Sequence, residues 1–217
     1  MSSDEPPETD GLGAAEDAAS LPESTTKRDR ILRAAIKVFA QNGFYATKVS
    51  EIAQAAGVAD GTIYLYFKNK EDVLISIFDD RMTRLVAFLE RDLANRTNFD
   101  DRFRAIVELQ LGLLFGQRDL AEVITVNLRQ SSRLLKEYAA PLFNKYLDLI
   151  VKLVADAQRD NLIRADVRPR IVARAVWGSL DGIALTWALA EGNRDQLQKA
   201  ASQVASLWLR ALTIERP

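Results

Sequence analysis

The side chains with the clearest chemistry lie in one short run, residues 60 to 70. Ile63 and Phe67 are four positions apart, so they point to one side of a helix, towards a core. The other side carries small, hydroxyl-bearing and basic residues: Gly61, Thr62, Tyr64, Tyr66, Lys68 and Lys70. Large aromatics are unusual at exposed positions unless they bind something. Such tyrosines and lysines suit hydrogen bonds to phosphate and contacts with thymine methyl groups.

A second short helix must precede this run and position it. Its inward face has helical spacing and consists of Val49, Ile52, Ala53 and Ala56. Thr47 is its natural N-cap, and Gly57 supplies the positive φ that ends it. Asp60 is a plausible N-cap for the next helix. Two short helices joined by a glycine-bearing turn predict a helix-turn-helix, whose second helix enters the DNA major groove.

The composition argues against catalysis and metal binding. The 217 residues include no histidine and no cysteine. This removes the commonest general base, the commonest metal ligand and every thiolate or disulfide. We therefore expect no enzyme activity, no catalytic residue, no metal and no cofactor.

Charge is distributed unevenly along the chain. Residues 1–25 carry seven acidic residues and no basic ones, whereas residues 27–70 carry eight basic and three acidic residues. The overall net charge is −1. A basic segment that coincides with the predicted helix-turn-helix is the electrostatic pattern of a phosphate-backbone binder.

The chain is long enough for one large domain or two small ones. It contains no apolar run long enough to span a membrane and no secretory signal, so we expect a cytoplasmic protein without membrane contact. Residues 1–24 are acidic and poor in large apolar side chains, which predicts a disordered tail. The predicted domains are residues 25–70, which bind DNA, and residues 71–217, which bind a ligand and dimerise.

Helical periodicity continues to the C-terminus and no strand alternation appears, so the predicted fold is all-α with about nine helices. The first helix spans about 26–41 and the fourth begins at 68–71 and ends near 95. The stripe of the fourth helix is Leu74, Ile77, Phe78, Met82, Leu85 and Leu89. Later helices are predicted at about 100–115, 119–137, 141–159, 169–190 and 194–213.

The last two helices, about 168–190 and 194–213, are apolar around too wide an arc for a helix with one buried face. Such coverage favours a four-helix interface with a second copy of the chain. A central hairpin in the core of one subunit is the alternative.

Several strings together resemble the TetR family of transcriptional regulators. They are FAQNGFYATKVSEIAQAAGV, the recognition helix TIYLYF and the following KNKEDVL, all within residues 27–75. Further on, VNLRQSS at 126–132 and WGSLDGIALTWAL at 177–189 are similar to the FadR subgroup, acyl-CoA-responsive repressors of fatty-acid degradation.

The resemblance implies a homodimer that places two recognition helices on a palindromic operator in double-stranded DNA. By position, the DNA-binding residues are Thr47, Lys48, Ser50, Gly61, Thr62, Tyr64, Tyr66 and Lys70. Lys70 matches the family's phosphate-binding lysine at the start of the fourth helix.

The resemblance also implies an effector pocket between the long C-terminal helices, with long-chain acyl-CoA as the hydrophobic effector. The apolar candidates to line it are Phe103, Val107, Leu111, Leu114, Phe115, Tyr146, Ile150, Trp177 and Trp187. The polar candidates are Asn127, Arg129, Gln130 and Asp181. A structural Arg129–Asp181 ion pair is the alternative to a contact between Arg129 and ligand phosphate.

Three other functions stay open at this point. A repressor of efflux genes would respond to planar drugs or other hydrophobic compounds. An enzyme acting on acyl thioesters would have to work without histidine or cysteine. A helical lipid carrier would leave the basic bias of residues 27–70 unexplained.

Overall fold

The computed structural model describes residues 26–112, 114, 117–127, 140–190 and 193–214. Within these residues the chain forms α-helices and no strand, as predicted. The helices are α1 Lys27–Asn42, α2 Val49–Ala56, α3 Asp60–Tyr66, α4 Lys70–Ala94, α5 Phe99–Gly112, α6 Arg118–Glu122, α7 Ala140–Arg159, α8 Pro169–Leu189 and α9 Arg194–Leu212. In this part of the chain, no helix is both long and apolar enough to cross a membrane.

The helices of the N-terminal region begin and end at local signals. The Thr26 hydroxyl accepts a hydrogen bond from the Asp29 N–H, which caps α1. Gly43 and Gly57 have φ values of 75° and 64° and end α1 and α2. A side chain is strained at such φ values, so glycine is favoured at both positions.

Two predicted caps are wrong. The residue before α2 is Lys48, whose N–H donates to the Glu51 carboxylate, while Thr47 lies one position earlier and turns inward. The residue before α3 is Ala59. Asp60 is the first residue of the helix, and no side-chain hydrogen bond caps this end. An acidic side chain at that position still interacts favourably with the positive end of the helix dipole.

Helix α4 starts where the sequence indicates, but two residues of its predicted stripe, Phe78 and Met82, are only partly buried. Asn69 caps it by accepting from the Asp72 N–H. Arg81 is buried at 7% exposure, whereas the predicted Met82 is only partly buried. Burial lowers the pKa of Arg81 from its ordinary value to about 10, which leaves the side chain charged at neutral pH.

Two apolar cores meet along α4. The first joins α1, α2 and α3 to Val73, Leu74 and Ile77, and it also includes Leu120 and Val123. The second begins at Leu85 and contains the inner faces of α5, α7, α8 and α9. Arg81 therefore lies between the last α4 residue of one core and the first of the other. We call the regions around these cores the helix-turn-helix domain and the effector domain.

Of the helix predicted over residues 119–137, the structure describes the part up to Asn127. Helix α6 covers only Arg118–Glu122 and continues as a π-helical turn, Val123–Asn127. Residues 128–139 lie outside the described residues, as do residues 1–25, where the acidic tail is predicted.

The C-terminal helices follow the predicted positions closely. Asn161, with a φ of 54°, follows the end of α7, and Pro169 occupies the first turn of α8. Proline is tolerated there because the first N–H groups of a helix have no internal partner. Helix α9 packs along α5, and α7 packs along α8. An isolated antiparallel bridge, Ile163 to Thr213, joins the end of α9 to the α7–α8 connection.

Candidate nucleic-acid interface and effector core

Helix α3 buries Ile63 in the helix-turn-helix core and presents its other side to solvent. Tyr64 is 58% exposed, Leu65 81% and Tyr66 42%. Gly61, at the start of the same helix, is also exposed, and Thr62 is partly buried. The predicted outward side is therefore accessible along the whole helix, with Leu65 at its centre.

The start of α2 supplies a second group of exposed residues. Lys48 and Ser50 are both solvent-exposed, as a DNA contact requires. Thr47, a predicted DNA-binding residue, differs from them because its side chain is only 2% exposed. Its hydroxyl donates to the Gly43 carbonyl at 2.8 Å. In this structure Thr47 stabilises the α1–α2 turn from inside.

Lys70 is engaged in the same turn. Its ammonium donates to the carbonyls of Tyr45 at 3.1 Å and Thr47 at 2.8 Å. The same Nζ lies 4.7 Å from the centre of the Phe44 ring. Two of its three N–H donors are thus directed at backbone carbonyls, so Lys70 holds the turn in place beside the predicted phosphate-binding region.

Several basic side chains of α1 are also exposed in this domain. Lys27, Arg30 and Lys37 are exposed, and the Arg28 guanidinium lies 5.4 Å from the centre of the Phe67 ring. That contact joins the start of α1 to the end of α3. Positive charge and exposed aromatics therefore occupy the same domain, which favours binding to a polyanion.

Sequence reasoning missed two exposed residues of this domain. Tyr45 is 67% exposed in the α1–α2 turn, and its ring packs edge-on against Phe44 at 5.4 Å. The exposure of Leu65 could have been predicted, because helical spacing places it opposite Ile63. No periodic pattern exists in a turn, so Tyr45 had no comparable signal.

The apolar effector candidates come together in one core. Phe103, Val107, Leu111, Tyr146 and Ile150 are all fully or almost fully buried in the effector-domain cluster, together with the less completely buried Leu114. The residue Phe115 lies outside the described residues.

Tyr146 brings a polar group into this core. Its hydroxyl donates to the Gln110 side-chain oxygen, so the buried hydroxyl has a hydrogen-bond partner within the protein. Burial raises the pKa of the Tyr146 phenol well above its ordinary value, so this group stays protonated at any physiological pH.

The two tryptophan candidates lie in different surroundings. Trp177 packs edge-on against Phe143 at 4.6 Å, beside the core. Trp187 donates from Nε1 to the Asn193 carbonyl, and the Arg118 guanidinium lies 5.3 Å from the centre of its ring. Trp187 also lines an open groove of about 600 Å³ between α8 and α9.

The polar effector candidates are placed less favourably. Asn127, a predicted pocket residue, is buried, and its side-chain oxygen accepts a hydrogen bond from the Phe44 N–H. Asp181 is partly buried on α8. Arg129 and Gln130 lie outside the described residues, and so does the alternative Arg129–Asp181 pair.

Comparisons with known proteins agree with this division of the chain. Residues 31–77 match the family described as bacterial regulatory proteins, tetR family, and residues 78–211 match the YsiA-like protein, C-terminal region. The fatty acid metabolism regulator protein of Bacillus subtilis (strain 168) is 33% identical over 166 residues, which cover 76% of this chain and 86% of that protein.

Two solved structures are similar over most of the chain. The fatty acid degradation regulator FadR from Bacillus halodurans superposes with a TM-score of 0.81 at 33% identity, covering 86% of this chain and 96% of that one. FadR from Bacillus subtilis, in complex with stearoyl-CoA, has a TM-score of 0.78 at 32% identity and covers 83% of this chain and 97% of that one.

Proposed function

The chain belongs to the TetR family of bacterial regulatory proteins, and from this premise we propose that it is a repressor of fatty-acid degradation genes, released from its operator by long-chain acyl-CoA. The observation that carries the proposal is the pairing of two features in one chain. One is an exposed recognition helix, and the other is an effector domain similar to that of a protein bound to stearoyl-CoA. Such a protein acts on the chromosome and therefore in the cytoplasm.

On the DNA side, α3 enters the major groove and α2 lies across the backbone. Tyr64 and Leu65 have the exposure needed to reach base edges, where an apolar side chain meets the thymine methyl group. Lys48 and Ser50 at the start of α2 bind phosphate, since helix N-termini and ammonium groups both favour anions. Lys70 assists by holding the turn that carries α2.

On the effector side, the acyl chain occupies the region around Phe103, Val107, Leu111, Tyr146 and Ile150. Their burial in one continuous apolar cluster supports this assignment, because a long acyl chain needs an extended apolar lining. The effector acts only through its different affinity for the two conformations, and α4, which runs through both cores, transmits the difference.

Adding stearoyl-CoA to the protein–operator complex is expected to lower operator affinity roughly 5- to 150-fold, the range of a typical allosteric coupling. A gel-shift titration measures this on an operator recovered by selection from random DNA duplexes. Free coenzyme A is the matched control and should leave affinity unchanged. Operator affinity that stays constant at saturating stearoyl-CoA contradicts the proposed effector, and release by a planar cationic dye instead would support an efflux repressor.

We also propose that two copies of the chain associate through α8 and α9. An exposed stripe of small and apolar residues, interrupted by one arginine, runs along α8: Ile171, Arg174, Ala175, Gly178, Gly182, Thr186 and Leu189. The exposed Leu207 lies on α9, and the groove between the helices is lined by Ala200 and Gly182, among others. An apolar stripe at helical spacing with a groove beside it suits a four-helix interface.

Replacing Gly182 with glutamate is expected to convert the dimer to a monomer and to reduce operator affinity at least tenfold. A Cβ at Gly182 would meet no atom within 4 Å in the subunit, so the monomer fold should tolerate the change. Light scattering after size-exclusion chromatography measures the mass. Lys152→Gln, which changes net charge equally at an exposed position of α7, is the control. An unchanged dimer mass for the Gly182 variant would place the interface elsewhere.

A further inference from the structure

One buried hydrogen bond joins residues that are 83 positions apart. The Phe44 N–H donates to the Asn127 side-chain oxygen at 2.7 Å. Phe44 is 2% exposed and Asn127 is 1% exposed. Water cannot replace either partner while both stay buried, so loss of the bond leaves an unsatisfied group or requires the contact to open.

The two ends of this bond belong to segments with different roles. Phe44 is in the turn that ends at Lys48, the residue before α2, and Lys70 donates to the Tyr45 carbonyl of the same turn. Asn127 is the last residue of the π-helical turn that continues α6. A segment of the effector half of the chain therefore touches, by a side chain, the turn that sets where α2 begins.

The packing around the bond makes this contact part of the helix-turn-helix core. Leu120 of α6 and Val123 of the π-helical turn are buried in that core, and Ile124 packs against it. Apolar packing tolerates small sliding movements, whereas a hydrogen bond requires a defined distance and angle. Asn127 therefore fixes the register between the two segments, and Leu120 and Val123 contribute apolar packing.

The π-helical turn gives the contact a way to change. A π-turn accommodates an extra residue compared with an α-helix and occurs often at functional sites. The Thr125 hydroxyl donates to the Ala121 carbonyl within this turn. A return of residues 123–127 to α-helical geometry would rotate Asn127 by a large angle relative to Val123 and remove its oxygen from Phe44.

We propose, on the premise of the repressor function above, that Asn127 is a positioning residue that couples the effector to DNA binding. With the Asn127–Phe44 bond formed, the α1–α2 turn holds α2 in the arrangement that binds the operator. The effector binds preferentially to the conformation in which the bond is open. Asn127 then contacts neither DNA nor effector and acts through the turn alone.

This arrangement has a quantitative consequence. Removing the bond shifts the equilibrium from the operator-binding to the effector-binding conformation. Operator affinity measured without effector falls, and effector affinity measured without DNA rises. In a two-state equilibrium the product of these two fold-changes equals the fold-change in the equilibrium, roughly 2- to 13-fold for the net contribution of one neutral hydrogen bond.

Asn127→Leu removes the acceptor while keeping the number and branching of the side-chain heavy atoms, and Asn127→Asp keeps an acceptor oxygen in the same place. For Asn127→Leu we expect weaker operator binding by gel shift and tighter stearoyl-CoA binding by calorimetry, with the two fold-changes multiplying to the range above. Burial should keep the carboxyl group of Asn127→Asp protonated, because an unpaired charge at this site would be costly. Its carbonyl oxygen can then accept from the Phe44 N–H, so we expect both constants to stay within about twofold of the wild type. Asn144→Leu, at an exposed position of α7, controls for the loss of an amide.

The exchange of the Phe44 amide hydrogen tests the bond directly. It should quicken in Asn127→Leu and in wild-type protein saturated with stearoyl-CoA, and it should stay slow in Asn127→Asp. A purely structural role predicts lower thermal stability with both affinities reduced or unchanged, and either result overturns the proposal. If stearoyl-CoA fails to bind wild type, the acyl-CoA assignment fails separately, while an unchanged operator affinity in Asn127→Leu still overturns the positioning role.

Discussion

Replacing Phe39 with alanine is expected to lower the free energy of unfolding of the helix-turn-helix domain by about 3–5 kcal/mol, the usual cost of emptying a buried phenylalanine site. Phe39 is completely buried, and its ring centre lies 5.5 Å from that of Phe44. The cavity would open beside the turn that carries α2. Total stabilities of 5–15 kcal/mol are usual, so much of the domain's stability would be lost and operator binding with it.

Urea unfolding followed by circular dichroism measures this change. Lys37→Ala is the matched control, since Lys37 is exposed on the same helix and its replacement should change stability by no more than about 0.5 kcal/mol. The three tryptophans lie in α8 and α9, so their fluorescence reports the effector domain separately. A cost below about 1 kcal/mol for Phe39→Ala would show that the site collapses around the lost ring.

Tyr64→Ala is expected to weaken operator binding by about 1–3 kcal/mol, or roughly 5- to 150-fold, and to leave stability and dimer mass unchanged. The ring is 58% exposed, so its loss creates no cavity, and it projects from the recognition helix. Gel shifts on the selected operator and on a scrambled duplex separate loss of specificity from general loss of affinity. Unaltered operator affinity would mean that the outward side of α3 has been misassigned.

Lys48→Ala provides a contrasting result on the same surface. Loss of a lysine that binds phosphate should reduce affinity for specific and scrambled DNA alike. It should also lower the slope of log affinity against log salt by about one. Lys152→Ala, at an exposed position of α7, removes the same charge outside the helix-turn-helix and should change neither quantity. Equal salt slopes for wild type and Lys48→Ala would count against a phosphate contact at the start of α2.

The helix-turn-helix was predictable because its signals are local. Gly43 and Gly57 end their helices through a conformation that favours glycine, and Ile63 faces the core because of helical spacing. The capping residues of α2 and α3 were harder to predict. Thr47 is a good capping residue by type, but its hydroxyl reaches the Gly43 carbonyl inside the turn, and the competition between these two partners is decided by packing.

The effector domain shows where periodicity fails. Apolar spacing along α4 favours Met82, yet Arg81 is the buried residue at the junction of the two cores. Asn127 is predicted to contact the effector, whereas its hydrogen-bond partner in the structure is the backbone N–H of a residue 83 positions earlier. A side chain's own sequence neighbours carry no information about such a partner.

The sequence by itself determined the all-helical class, the helix-turn-helix and its outward face. These follow from hydrophobic period, glycine conformations and the clustering of charge, all of which act within a few residues. Only the tertiary structure decided that Lys70 holds the α1–α2 turn, that Leu120 and Val123 complete the DNA-binding core, and that Asn127 binds Phe44. These contacts depend on the directions and distances between elements far apart in the chain, which chain order leaves open until the cores are packed.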